Sequence, residues 1–113
     1  MTPERQRIAI AEACGWIPCA TPHLTLSERL TYGDRWWRHP EDKTVASLAN
    51  LPDYLTDLNA MHEAEKVLTR IQYMVYSNYL DNEFAYSQTI YAKSCTAAQR
   101  AEAFLRTLNL YIP

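Results

Sequence analysis

Apolar residues recur at three- and four-residue steps in three stretches of the chain, and each stretch predicts a helix. The first places Ile8, Ala11 and Ala13 on a helical pattern. Thr2 supplies an N-cap before it, Pro3 sits at the first helical position with Glu4 in the first turn, and Gly15 follows, so a helix is expected over Pro3–Cys14. The second is the most regular: Leu51, Tyr54, Leu55, Leu58, Met61, His62, Glu65 and Leu68 share one face, which predicts a helix over Leu51–Leu68 with Pro52 in its first turn. The third closes the chain, with Thr96 and Gln99 as a capping box, Phe104, Leu105 and Leu108 as a stripe, and Asn109 able to take the left-handed conformation after a helix over Ala97–Leu108.

Between these the pattern is less regular. The segment from Trp16 to Asn50 carries Pro18, Pro22 and Pro40 with short apolar fragments and no sustained period, so loops and one or two short strands are expected. In "TRIQYMVYSNYLDNEF", Ile71, Tyr73 and Val75 alternate like a strand, while Ile71, Met74, Val75 and Asn78 fit a helix; a helix is the preferred reading. "AYSQTIYAKS" has a strand composition in Tyr86, Thr89, Ile90 and Tyr91. The fold class that results is α/β in the α+β sense: a small sheet sandwiched between helical layers, with an N-terminal, a central and a C-terminal helix.

Length and composition narrow the function. At 113 residues and 48% hydrophobic, the chain suits a single domain over residues 1–113 with one core. A formal net charge of −2 gives no basic field for duplex nucleic acid or an anionic membrane surface. No apolar run approaches the roughly 20 residues of a membrane span, and the charged, amphipathic N-terminus does not read as a signal peptide. Cys14, Cys19 and Cys95 form an odd set without CxxC spacing, which fits a reducing cytoplasm better than a disulfide framework or a zinc ribbon.

Candidate chemistry concentrates in two places. On the central helix His62 and Glu65 fall on the apolar stripe, where a carboxylate has to be neutralised, paired or hydrated; Arg100, Arg106 or His62 could pair with Glu65. A metal site fails on count, because the single His62-x-x-Glu65 lacks the second motif of a di-iron bundle and "HEAEK" lacks the second histidine of a zinc protease. Two glycines leave no nucleophile elbow or phosphate loop, and no catalytic residue, metal or cofactor is expected.

The second place is "YGDRWWRHPEDK". Its indoles, Trp36 and Trp37, could stack on a base while Arg35, Arg38 and His39 bind phosphate or ribose oxygens; alternatively one Trp plugs the core and the arginines balance Glu41 and Asp42. Eight tyrosines are more than a core of this size can easily hide, and a homo-oligomer would cover the surplus.

Three stretches, "QRIAIAEACGW" at Gln6–Trp16, "LPDYLTDLNAMHEAEKVL" at Leu51–Leu68 and "TAAQRAEAFLRTLNL" at Thr96–Leu110, resemble small bacteriophage and prophage proteins of the phage ABA sandwich domain family, and span about two fifths of the chain. That family usually has Gly where this chain has Asn109. The resemblance implies a sheet between helical layers and a phage product acting in the cytoplasm of the infected bacterium. By analogy with small phage sponges, it suggests a non-catalytic counter-defence protein that sequesters a nucleotide-type signal, a cyclic oligonucleotide or an ADP-ribose derivative. Arg35, Trp36, Trp37, Arg38, His39, His62 and Glu65 would line that site, with Arg100 and Arg106 in reserve. The alternative is a protein that binds and inhibits a host protein through its tyrosine-rich segment Tyr73–Tyr91. A concave Trp site ringed by arginine would favour the nucleotide, and a flat exposed patch of tyrosine and methionine would favour a protein partner.

Overall fold

The computed structural model describes residues 1–19, 25–27, 35–42, 44–84 and 95–113. Helix α1, Pro3–Ala13, starts where expected: Thr2 Oγ1 accepts from the Arg5 N–H at 3.2 Å and Pro3 opens the first turn. It stops at Gly15, whose φ of +100° is closed to most side chains, and a Cβ there would lie 3.2 Å from Pro40. The chain then enters β1, Ile17–Cys19, which pairs antiparallel with β2, Trp36–Arg38, and β2 pairs antiparallel with β3, Val45–Ser47. The order is β1-β2-β3, so where one or two short strands were expected the described residues hold three, of three residues each.

A short 3-10 turn, Leu48–Asn50, leads to the main departure from the sequence pattern. The helix expected over Leu51–Leu68 forms only as α2, Leu58–Glu65. Leu51 precedes a proline, which disfavours helical ψ, and it is extended at ψ 149°. Arg7 fixes that extended path by donating to the carbonyls of Leu48 (3.1 Å) and Leu51 (2.6 Å). Asp57 then starts the helix afresh, its carboxylate accepting from Asn59 N–H at 2.9 Å. Leu51 and Tyr54 are still buried, from a turn instead of a helix.

Helix α3, Arg70–Tyr79, confirms the helical reading of the ambiguous stretch. Thr69 and Gln72 form a reciprocal capping box, and the helix widens into a π turn over Leu80–Phe84. The strand expected in "AYSQTIYAKS" lies outside the described residues. Helix α4, Ala97–Thr107, has the expected Thr96–Gln99 box, and Asn109 at φ 58° lets Leu110 N–H reach back to the Leu105 carbonyl at 2.8 Å.

The chain is therefore α+β: four described helices with a small antiparallel three-stranded sheet. Helix α4 lies at the centre, touching α1, α2 and α3. Its small residues Ala97, Ala101 and Ala103 admit close neighbours, and Phe104 and Leu105 fill the space beside Ile10, Met61, Tyr76 and Leu80. The sheet contributes Trp37 and Ala46 to the same core. No helix among the described residues is long and apolar enough to cross a membrane.

Candidate functional site

The stretch Arg35–His39 sits on β2, where alternation sends neighbours to opposite faces. Trp37 points into the core, 1% exposed, and its indole N–H donates to Glu12 Oε1 on α1 at 3.3 Å. With its ring packed, it cannot serve as the stacking plate expected for a base; of the two readings of the tryptophan pair, the core plug holds for Trp37. Trp36 is half-buried on the other face with the exposed Arg38. The Arg35 guanidinium lies 5.2 Å above the Trp37 ring. His39 is held by the turn after β2: its Nδ1 accepts from the backbone N–H groups of Glu41 (3.1 Å) and Asp42 (3.3 Å), and its ring meets Trp16 edge-on at 4.9 Å. Hydrogen bonds from Thr44 hold the Asp42 carboxyl below its usual range.

His62 and Glu65 stand elsewhere, on α2. The Glu65 Oε1 lies 3.2 Å from Arg100 Nη1 and 3.5 Å from His62 Nδ1. The carboxylate and the guanidinium are buried, at 9% and 7% side-chain exposure, whereas the imidazole is 54% exposed. Glu65 thus has the partner its position demanded, and it comes from α4. His62 is not on the buried stripe as its spacing predicted, because the buried face of α2 is centred on Met61, Ala64 and Glu65 and leaves the neighbouring His62 at its edge. The Tyr76 hydroxyl lies beside this pair; burial first, then the Glu65 charge, pushes its ionisation above the ordinary tyrosine value. Burial opposes the Arg100 charge, but Tyr76 and Glu65 outweigh it and hold the guanidinium above its usual value.

These residues line two different clefts. One, of about 520 Å³, lies between the end of α1, the turn after β2 and α2, and includes Cys14, Trp16, His39, Tyr54, Glu63 and Lys66. Burial pushes its Cys14 thiol up to about 11, and burial together with Cys14 raises Tyr54, so both groups keep their protons at neutral pH. The other, a shallower cleft of about 580 Å³, lies between α2 and the start of α3 and is bordered by His62, Glu65, Lys66, Arg70, Tyr73 and Met74. His39 therefore goes with the first cleft and His62 with Glu65 with the second, and neither cleft is lined by Arg35, Trp36, Trp37 or Arg38. Among the described residues no three His, Cys, Asp or Glu side chains gather as metal ligands.

A third feature is convex. Helix α3 buries Tyr76 and turns Ile71 (75% exposed), Met74 (59%) and Val75 (52%) outward, while Tyr73, half-exposed, lies on the side of the helix that borders the cleft. The spacing i, i+3, i+4 makes Ile71, Met74 and Val75 one strip, continued by the exposed Asn78. The sequence pattern identified this set as a helix face, but not that the face would be left outside, since periodicity gives a face and no direction. Cys14, Trp16 and Tyr54 were missed as a group for another reason: they come from separate segments, and no spacing links them. Comparison of the chain with family models, with curated proteins and with solved structures finds no match.

Proposed function

We propose that the protein is a non-catalytic binding protein whose working surface is the outward strip of α3, which docks on another polypeptide. The observation that carries this is the exposure of Ile71, Met74 and Val75 side by side on one helix. Isolated apolar residues on a surface are ordinary, but a contiguous strip is the usual mark of an interface. Met74 supplies the methionine of a partner surface, with Tyr73 at the flank toward the cleft, while the concave Trp site that would have favoured a nucleotide is not formed by Trp37. The protonated state of Cys14 and Tyr54 supports a binding role over nucleophilic chemistry. Homo-oligomerisation is one way in which such a strip is covered. The resemblance to the phage ABA sandwich family supports a bacteriophage product, active in the cytoplasm of the infected cell.

A photo-cross-linking residue placed at position 74, with a control at the exposed Glu63, tests this in a bacterial cell that makes the protein. Cross-links to a polypeptide at 74 that Val75→Glu abolishes are the expected result; equal labelling at both positions would remove α3 as the docking face.

A second reading has its own support. The cleft beside α3 sets His62, Lys66 and Arg70 around Tyr73, which suits an anionic ligand with an aromatic ring, and this is where a nucleotide-type immune signal would be held by a counter-defence sponge. Thermal melts with cyclic dinucleotides, cyclic trinucleotides and ADP-ribose derivatives test it, since a ligand that binds the folded state raises the midpoint by mass action. A shift of several degrees that Arg70→Ala abolishes, with the ligand recovered intact, is the expected outcome. A cleaved product would make the protein an enzyme instead.

A further inference from the structure

We propose that the polypeptide docked on α3 is a second copy of this chain, its α3 laid antiparallel across a two-fold axis so that Arg70 of each copy meets Asp81 of the other. The inference rests on α3 being a docking face and names its occupant.

The helix itself carries the argument. At about 100° per residue, Ile71, Val75 and Asn78 lie within about 60° of one another, and Met74 borders them. Arg70 opens α3 and Asp81 lies in the π turn that continues it; nine α-helical steps and two of the slightly wider π turn come to about three turns, which brings the two to nearly the same angle, on the Met74 edge of the strip. Both are exposed, and among the described residues neither has an ion-pair partner. The strip is thus bordered on one edge by a cation at its start and an anion at its end.

When two helices pack antiparallel, residues on a given edge of one face the same edge of the other, with their order reversed. The cation of each copy then meets the anion of its neighbour, whereas a parallel two-fold sets this edge against the opposite edge of the neighbouring helix, that of Gln72 and Tyr79, so that neither charge meets its opposite. A two-fold axis beside Val75 satisfies both pairs at once and brings Met74 and Val75 of the two copies together at its centre. Such self-complementarity is what a symmetric dimer requires of a single patch. An unrelated partner would not need the two charges to be placed with this symmetry.

The arrangement also bears on the open cleft beside α3. Arg70 and Met74 border both the cleft and the strip, so the second copy walls the cleft where one copy leaves it open, and Asp81 of that copy competes with any anion for Arg70.

Sedimentation or light scattering on the purified full chain tests the proposal, with Met74→Glu, Arg70→Asp, Asp81→Arg and the double reversal Arg70→Asp with Asp81→Arg. All four alter exposed positions, so circular dichroism should show the same helix content throughout. The expected result is a mass twice the 13.1 kDa of one chain. Met74→Glu should give the single chain, and each single reversal should weaken association at least about tenfold, because symmetry makes each count twice and like charges across an interface repel. The double reversal should restore it.

A mass of one chain at every concentration overturns the second copy as occupant. The docking reading is then still decided by the cross-link at position 74, which detects a polypeptide of any identity. A dimer indifferent to Met74→Glu places the interface elsewhere and overturns the proposal as well. A dimer lost in Met74→Glu but unchanged by both single reversals overturns the antiparallel register.

Discussion

The energetics of the buried polar residues follow from what the loss of each would leave behind. Glu65→Ala strands the Arg100 guanidinium in the core, so a loss of about 3–5 kcal/mol is expected in denaturant unfolding. His62, half in solvent, should contribute little: His62→Ala is expected to cost no more than about 0.5 kcal/mol. Trp37→Ala removes a core side chain together with its bond to Glu12 and should cost about 3–5 kcal/mol, an unfolding effect and not a binding one. The Cys14 thiol adds a pH dependence whose sign is fixed by its raised ionisation. Ionisation in the unfolded chain begins near the ordinary thiol value of 9.0, while the folded thiol keeps its proton to about 11. Stability from this group is intact below 9.0 and is lost as pH rises through that window, with Tyr54 acting in the same direction. Cys14→Ala should flatten the alkaline limb of a stability-versus-pH curve; an unchanged limb would mean that the thiol is not held protonated.

Elements with strong local signals are legible in the sequence. Helices α1 and α4 begin and end within a residue of the positions their caps predict, because Thr2, Thr96 and Gln99 satisfy backbone groups over a few residues. Removing one such cap, Thr96→Ala, should lower stability by about 1 kcal/mol, measured by chemical denaturation. What is not legible is settled over long distances. The periodic pattern over Leu51–Leu68 is real, since Leu51, Tyr54, Met61 and Ala64 are all buried, but only its second half is helical. Arg7, more than forty positions away, holds the backbone at Leu48 and Leu51 out of a helix, and no local pattern announces that contact. The same limit applies to the candidate sites: Glu65 was legible as a carboxylate in need of a partner, while its pairing with Arg100 depends on how α2 and α4 meet. Trp37 was legible as one of a pair of which one would be buried, and only the strand register decides which.

At the scale of the molecule, α4 serves as the common packing partner for α1, α2 and α3, and it leaves α3 with one side inside and one side out. A helix that is apolar on both sides is over-supplied for a free monomer. Under the proposed function that outer side is covered when the protein works. Methionine oxidation reads this directly, because Met61 at 0% exposure is an internal reference for a buried thioether and Met74 at 59% is the reporter. In the assembled protein Met74 should be protected nearly as well as Met61, and it should become reactive in Val75→Glu while Met61 stays protected. Free oxidation of Met74 in the native protein at every concentration, and equally in the cell that makes it, would contradict the account.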